Sequence, residues 1–428
     1  MTGVVNEPAR ADGGAPERGW NRLGIMFVRL RGRVSDASAV LWLLLVAAFL
    51  LRMLWLSQPT GSLIFDENYY VNAARVMGGI QPSLGSTYFY APLHFDPNTQ
   101  QPPLGKVFIL ASMSVFGDNG IGWRFPSVLA GMVAFLAVYG IVRALGGRQW
   151  LAVAAVAIYA LDILTFVQSR IGMLDMMSLA LVLLGAWLGV RRHWPLAGAL
   201  IALGALVKLP AVFGLLALLL WQAAMLWPLV RPWRVGWREL IPTAQLVGAF
   251  VTVGLLGLWL LDLRFTQYTN PFDHLARMVS YGFSLHASTG PDPHTSVPWE
   301  WLYGNGQFDL LKTANGLVDF RAAINPILLG SLALIVPFGA WAAWRQRDAV
   351  AGFALIWLAA NYLPFVALAL IANRVMYLYY FLPAIPALAM LAAVFIGRAP
   401  LPRPVVWTYL GAMVVGFVVY FPFRALPG

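Results

Sequence analysis

The residues with the clearest potential for chemistry are two adjacent carboxylic acids, Asp66 and Glu67, which follow the apolar run Leu63-Ile64-Phe65. A carboxylate beside an apolar segment can act as a general base toward a hydroxyl group. Two such groups could also hold a divalent cation, although that ion normally takes more oxygen ligands than one pair supplies. Asp66 could instead cap a helix over residues 68–77. The pair predicts a general base or a helix cap, and a metal site is the less favoured use.

Further charged residues lie where apolar segments end, which is a costly position in a membrane and commonly marks a functional site. They are Arg52, Arg124, Asp162, Arg170, Asp175, Lys208 and Arg374, and Lys106 lies in the same connecting segment as the acidic pair. Arginine and lysine near helix ends also snorkel to the interface without any catalytic role. As a set on one side of the membrane, these residues predict a cavity that binds an anionic lipid headgroup.

The composition sets the class of protein that must position these groups. The 428-residue chain is 60% hydrophobic and 11% charged, which excludes a soluble enzyme. It has no cysteine, so disulfides and thiolate sites are excluded. Apolar runs of roughly the length that crosses a bilayer recur, whereas strand-like alternation is not sustained. The sequence predicts an all-α polytopic membrane protein with about eleven spans, over residues 39–56, 123–142, 150–168, 171–190, 194–207, 209–229, 240–261, 323–344, 349–372, 375–397 and 404–422.

The charge distribution orients these spans. If residues 1–37 are a disordered cytoplasmic tail, the tail and the inner loops hold 17 of the 29 basic and 6 of the 18 acidic residues, as the positive-inside rule requires. This accounts for the net charge of +11 and excludes nucleic-acid binding. Residues 38–428 are then one transmembrane domain in a plasma membrane, with a cytoplasmic N-terminus and an external C-terminus. The preference for arginine over lysine is typical of a bacterium with a GC-rich genome.

Two outer segments, residues 57–122 and 262–322, are long enough to carry the function. Residues 103–116 predict a helix that lies on or dips into the outer leaflet, because a true span there would invert the arginine-rich loops. The second segment contains residues that could suggest a metal site: Asp273, His274, His286, Asp292 and His294. Their spacing fits no compact ligand motif, so this segment is interpreted as a turn-rich solvated loop.

Short motifs, met in order along residues 50–390, resemble the protein O-mannosyltransferases and related C-type glycosyltransferases that use polyprenyl-phosphate sugars. Phe65-Asp66-Glu67 with Tyr69-Tyr70 is similar to the Phe-Asp-Glu motif of the family, and residues 102–106 are similar to its His-Pro-Pro-Leu-Gly-Lys. The other similar segments are Trp123-Arg124-Phe125-Pro126, Gln168-Ser169-Arg170 with Leu174-Asp175, Lys208 after a Gly-rich helix, and Asn373-Arg374 with Tyr379-Tyr380.

The resemblance implies a GT-C fold and an inverting transfer of mannose from polyprenyl phosphate to a Ser or Thr hydroxyl of a secreted protein, at the outer face. On this basis we expect Asp66 to be the general base and Glu67 to hold Arg52 or Arg124. We expect Asp175 to orient Arg170. The residues expected to bind the donor phosphate are Lys106, Arg124, Arg170, Lys208 and Arg374, with Arg52, Asp162 and Asp175 in support. No cofactor is expected beyond the donor, and a divalent metal is not favoured.

The acceptor is left open by three departures from the family pattern. Gln101 stands where the family has histidine, and Tyr380 replaces a second histidine-like position. The segment 262–322 is too short for the luminal sugar-recognition domain of eukaryotic members. Transfer to a lipid or a cell-envelope glycan, as in the aminoarabinose transferases, is the alternative. A lipid transporter or flippase is less favoured, because the cations cluster on one side and no inverted repeat of broken helices is apparent.

Overall fold

The computed structural model describes residues 36–230, 237–285 and 294–423. Nearly all of the predicted cytoplasmic tail lies outside these residues, as do Arg231, Arg234, His286 and Asp292. The described residues form a helical protein with one small β-hairpin.

Apolar residues in long runs give the helices that the hydropathy predicts. The helices are α1 (Asp36–Met53), α2 (Glu67–Met77), α3 (Leu104–Phe116), α4 (Gly120–Ala144), α5 (Gln149–Ala160), α6 (Ile163–Gln168), α7 (Leu174–Val190), α8 (Trp194–Val207), α9 (Val212–Val230), α10 (Trp237–Phe265), α11 (Pro271–Ser284), α12 (Pro326–Gly330), α13 (Leu332–Arg345), α14 (Ala349–Ala372), α15 (Ile385–Arg398) and α16 (Arg403–Val419). Short 3-10 turns occupy Leu209–Ala211, Pro298–Leu302 and Leu378–Ala384.

Each of the eleven apolar segments predicted to cross the membrane contains an α-helix, although the segments 150–168, 323–344 and 375–397 are helical only in part. Six of the helical segments in the described residues are long and apolar enough to cross by themselves, with mean hydropathies of 1.9 to 2.1. The remaining apolar helices have 10–17 residues, and a 14-residue helix such as α8 rises only about 21 Å. The chain is a multi-pass membrane protein, and helix length alone supports six spans, fewer than the predicted eleven.

The core lies around α15, α7 and α8. Ten consecutive residues of α15, Ile385 to Val394, are buried, so protein surrounds this helix on every face. α8 packs closely on α10, because a Cβ at Gly198 would collide with the carbonyl oxygen of Leu246. Small residues allow such close backbone approach between membrane helices. This packing fixes the end of α8, where Lys208 follows.

The segments between the helices differ in part from the prediction. α3 forms where a short helix over 103–116 is predicted, and it ends at Gly117, which has a φ of +84°. The segment 262–322 is more ordered than a solvated loop, and the prediction of an all-α fold was wrong there. Strands β1 (Phe308–Lys312) and β2 (Asp319–Ala322) pair antiparallel, and Val318 bridges to Phe423. Strands of four and five residues are too short to produce a sustained alternation in the sequence.

Candidate active site

Asp66 is presented by a strained turn at the start of α2. The preceding Phe65 has a φ of +50°, in the left-handed region that aromatic residues seldom adopt. Its ring packs against four others: Phe308 at 5.6 Å, Tyr379 at 6.0 Å, and Tyr377 and His294 at 6.3 Å between centroids. Backbone strain of this kind persists where the surroundings impose it, and it clusters at functional sites.

Glu67, the second acid of the pair, is completely buried and fully engaged. Its Oε1 accepts from Arg124 Nε at 2.9 Å and from the Gly172 amide at 2.6 Å. Its Oε2 accepts from a terminal nitrogen of Arg124 at 2.9 Å and from the Ile64 amide at 2.7 Å. A carboxylate with four such donors has no lone pair directed at a substrate. The geometry gives Glu67 a positioning role and selects Arg124, not Arg52, as its partner.

The Arg124 guanidinium is also fully hydrogen-bonded within the protein. Besides the two bonds to Glu67, it donates to the carbonyl oxygens of Leu56, Gln58 and Ser62 at 2.8 to 3.0 Å. These bonds use all five N–H donors of an arginine. The expectation that Arg124 binds the donor phosphate is therefore corrected: it ties the segment 56–67 to the start of α4.

The Asp66 side chain, unlike that of Glu67, has no hydrogen-bond or ion-pair partner among residues 36–230, 237–285 and 294–423. Its carboxylate is partly exposed and does not cap α2, so the helix-cap alternative is wrong. Burial raises the pKa of the Asp66 carboxyl to about 6, nearby Lys208 lowers it, and Asp175 raises it further. Asp66 thus shares a site with these two charged residues and keeps its oxygens available as acceptors.

Lys208 and Asp175 form an ion pair beside Asp66. The Lys208 ammonium lies 2.7 and 2.8 Å from the two carboxylate oxygens of Asp175, and 5.1 and 5.7 Å from the ring centroids of Tyr379 and Tyr380. The expectation that Asp175 orients Arg170 was wrong, because Asp175 in the first turn of α7 faces the residue that ends α8. The third N–H of the ammonium remains for a further acceptor.

Arg374 is the second cation near Asp66. It follows the end of α14, where Asn373 takes a φ of +42°, and its guanidinium carbon lies 5.9 Å from the Tyr380 ring centroid. The Arg374 Nε is buried and has no hydrogen-bond partner among the described residues. Tyr281 on α11 lies near both Asp66 and Arg374. Burial raises the pKa of its hydroxyl, Asp66 raises it further, and Arg374 lowers it. The Arg374 guanidinium thus has an unused N–H donor, and it lies in the same site as the Asp66 carboxylate.

Arg52 and Arg170 have structural partners. Arg52 is buried, donates to Ser169 Oγ at 2.6 Å, and lies over the Phe135 ring. Arg170 donates to the carbonyl oxygens of Leu51 and Leu54 at 2.9 and 2.5 Å. The Arg170 side chain holds the end of α1 against the core and is 1% exposed. Its Nε has no hydrogen-bond partner among the described residues, so its assignment to the phosphate stays a prediction.

Asp162 and Lys106 likewise belong to the scaffold. Asp162 caps α6 by accepting from the Thr165 amide and also accepts from the Asn325 amide, at 2.9 and 3.0 Å. The Lys106 ammonium is fully buried, 2.5 Å from Asp96, and donates to the Asn98 and Gln101 carbonyls. With three partners for three donors, Lys106 has none for a phosphate. Its assignment to the donor phosphate is corrected as well.

His274 was assigned to a solvated loop, and this was wrong. The ring is buried, with Nδ1 2.7 Å from Asp262 and Nε2 2.9 Å from the Thr99 carbonyl oxygen. It stacks on Tyr268 at 4.4 Å. The available signal was Asn270-Pro271, a cap followed by a first-turn proline, which predicts a helix start. Within the part of the chain that the structure describes, no three His, Asp or Glu side chains converge to hold a metal ion.

Residues 100–259 match the family model described as dolichyl-phosphate-mannose-protein mannosyltransferase. Over this part, the chain is similar to the protein O-mannosyltransferases. A polyprenol-phosphate-mannose–protein mannosyltransferase of Corynebacterium glutamicum is 30% identical over 155 residues, which are 35% of this chain and 29% of the relative. One of Mycobacterium tuberculosis is 32% identical over 152 residues, covering 34% and 26%. The similarity therefore spans less than a third of either relative's length.

Two solved structures of membrane glycosyltransferases share the fold of this chain. The Saccharomyces cerevisiae protein O-mannosyltransferase Pmt1-Pmt2 complex, bound to the sugar donor, superposes with a TM-score of 0.71 over 92% of this chain and 91% of that chain, at 12% identity. ArnT of Cupriavidus metallidurans, bound to undecaprenyl phosphate, gives 0.58 over 90% and 64%, at 20% identity. The fold seen in these two structures therefore extends across nearly the whole chain.

Proposed function

We propose that this chain transfers mannose from polyprenyl phosphate to a Ser or Thr hydroxyl of a secreted protein, with inversion at the anomeric carbon. The observation that carries the proposal is the contrast between the two acids. The Glu67 carboxylate accepts four hydrogen bonds from protein donors. Asp66 lies beside Lys208, is partly exposed, and makes no side-chain hydrogen bond to the start of α2. The family and its named relatives favour mannose and a polyprenyl-phosphate donor.

In the proposed step, Asp66 accepts the proton of the acceptor hydroxyl as its oxygen attacks the anomeric carbon. The new bond forms between that oxygen and the carbon, and the bond between the carbon and the phosphate oxygen breaks. The electron pair of the broken bond leaves with the polyprenyl phosphate. Because the phosphate is a weak base, its departure needs electrostatic stabilisation more than a proton donor. No cofactor enters this step, and the proposal needs no metal.

Arg374 and Lys208 are the proposed phosphate ligands. Both flank the Tyr380 ring, at 5.9 and 5.7 Å from its centroid, so a phosphate between them would receive donors from two directions. A guanidinium fork suits two phosphate oxygens. Asp175 keeps the Lys208 ammonium in place and charged. We place this site on the extracytoplasmic side, because the positive-inside rule assigns the arginine-rich loops at the other end to the cytoplasm.

The pH dependence follows from the raised pKa of Asp66. A base works only when deprotonated, so transfer should rise as pH increases through about 6 and level off above it. Because Lys208 lowers this pKa, replacing Lys208 with Gln should move the midpoint to higher pH. The pH profile of labelled-mannose transfer measures both midpoints. A midpoint near the ordinary value for aspartate, with no movement in the Lys208 variant, would contradict the role of Asp66.

Replacing Arg374 with Ala should lower transfer by about 10²-fold, because one charge-assisted contact to the leaving phosphate is lost. Replacing Arg374 with Lys should recover only part of this rate, since a point charge cannot make the two-point contact. Arg277, an exposed arginine on α11, provides the matched control, and its Ala variant should keep the full rate. Equal transfer rates for the Arg374→Ala and Arg277→Ala variants would show that Arg374 does not bind the phosphate.

The direct test supplies membranes containing the chain with polyprenyl-phosphate mannose labelled in the sugar, with and without EDTA. The label is then counted in protein, lipid and glycan fractions. Label in protein that depends on the chain and survives EDTA is the expected result. Label only in lipid or glycan would show that the acceptor is a component of the cell envelope. Loss of label with EDTA would show that the transfer requires a divalent metal ion. No chain-dependent transfer would reject the proposed activity.

A further inference from the structure

A cavity of about 300 Å³ lies at the opposite end of the helix bundle from Asp66. α8 begins at Trp194 beside this cavity and ends next to Lys208 at the candidate active site. The length of α8 therefore separates the two by about 20 Å. The cavity is formed by the turn before α8, the second half of α9 and the first turns of α10. Nothing in the proposed transfer uses it.

Gln222 in the cavity wall is a buried polar group with unused donors. The residue is 4% exposed. Its Oε1 accepts from Thr243 Oγ at 2.8 Å, while its Nε2 has no partner among the described residues. Buried amide donors in native proteins are mostly hydrogen-bonded, to protein groups or to another bound molecule. A ligand oxygen in the cavity would satisfy it.

Two opposite charges line the same cavity without forming an ion pair with each other. Arg192 lies on the turn before α8, where its backbone takes a φ of +65°, and Glu239 lies in the first turn of α10. The other walls are apolar and include Trp194, Met225 and Pro242. A ligand that satisfies all of these groups carries an anionic oxygen, a cationic amine and an apolar part.

Exposed apolar residues flank the cavity on α9 and α10. α10 exposes a row of large apolar residues on its outer side, including Trp237 and Leu240 at 70% and 52% exposure. Met225 on α9 is also exposed at 37%. A ligand that enters here comes from the surrounding lipid, at the level where headgroups meet the ends of the helices.

We infer that this cavity binds the headgroup of a zwitterionic aminophospholipid of the phosphatidylethanolamine class. Arg192 and the Gln222 amide bind the phosphate oxygens, and Glu239 accepts from the primary ammonium. The glycerol and upper acyl carbons lie against Trp194 and Met225. An anionic lipid would satisfy Arg192 but would place its net charge against Glu239, which is the basis of the selectivity.

The test uses the purified full-length chain in detergent, titrated by native mass spectrometry with phosphatidylethanolamine or phosphatidylglycerol of identical acyl chains. The unmodified chain should bind one phosphatidylethanolamine about tenfold more tightly than phosphatidylglycerol, the value of one charge-assisted contact. Glu239→Gln should reduce this preference to about twofold or less, and Gln222→Leu should weaken both lipids about tenfold. Water-soluble glycerophosphoethanolamine should not displace the lipid, because it lacks the apolar part.

Arg403→Gln is the matched control, since Arg403 is an exposed arginine that begins α16 and does not line the cavity. Its lipid preference should equal that of the unmodified chain. Equal binding of the two lipids by the unmodified chain would overturn the inference, and so would an unchanged preference in Glu239→Gln. Displacement by the soluble headgroup would assign the site to a free solute. Glu239 is partly exposed, so its variant keeps the test decisive even if Gln222→Leu does not fold.

Discussion

Replacing Asp66 with Asn should reduce mannosyl transfer by about 10²- to 10⁴-fold, the usual contribution of a positioned general base. The amide keeps the size of the carboxylate and removes only its capacity to accept a proton. Asp66 caps no helix and holds no arginine, so folding should be unaffected. The measurement is the initial rate of labelled-mannose transfer, normalised to the amount of folded protein.

The control for this experiment is Asp273→Asn, an exposed acid in the first turn of α11. Its rate should equal that of the unmodified chain. A rate within about threefold of normal for the Asp66 variant would exclude general-base catalysis by this residue, since even a modest base contributes about a hundredfold. Residual activity that no longer rises with pH would strengthen the assignment.

Replacing Arg124 with Ala should destabilise the protein by about 3–5 kcal/mol, because it leaves the Glu67 carboxylate buried without its cation. The same change frees the carbonyl oxygens of Leu56, Gln58 and Ser62. Transfer should be lost together with the fold. Denaturant titration of the protein in detergent measures the free energy of unfolding.

Arg75→Ala is the matched control for this variant. Arg75 pairs with Asp118 near the surface, at 14% and 30% side-chain exposure, and such pairs contribute about 0–1 kcal/mol. Combining Arg124→Ala with Glu67→Gln should recover part of the lost stability, because no unpaired charge remains in the core. A loss for Arg124→Ala no larger than that for Arg75→Ala would show that the buried pair does not hold this segment.

The helices were predictable from the sequence because burial of long apolar runs leaves little choice of structure. The segment 349–372, for example, is predicted with the bounds that α14 has. The different roles of Asp66 and Glu67 were expected from the resemblance to the family, which implied that one acid is the base and that the other holds an arginine. The hairpin over 308–322 was not, because its pairing depends on contacts with residues such as Phe423, which lie far away in sequence.

The partners of the cations were the least predictable part. Lys106 in the first turn of α3 pairs with Asp96 in the irregular segment before that helix. Lys208 pairs with Asp175 from another helix. A charge at the end of an apolar helix looks the same in sequence whether it neutralises a neighbour or remains free for a ligand. Only the count of donors and acceptors around each group distinguishes Arg374 from Arg124, and that count requires the coordinates.

The Glu67 carboxylate joins parts of the chain that the ribosome makes at different times. Gly172, which donates to it, lies 105 residues later in the sequence. At about 5–20 residues per second, synthesis of that stretch takes about 5–20 s. During this interval the turn that carries Asp66 and Glu67 has been synthesised, but the Gly172 amide that donates to Glu67 has not. Asp66 should gain its active geometry only after α4 and α7 have both inserted, so a nascent chain that stalls before Gly172 would have the acid but no working site.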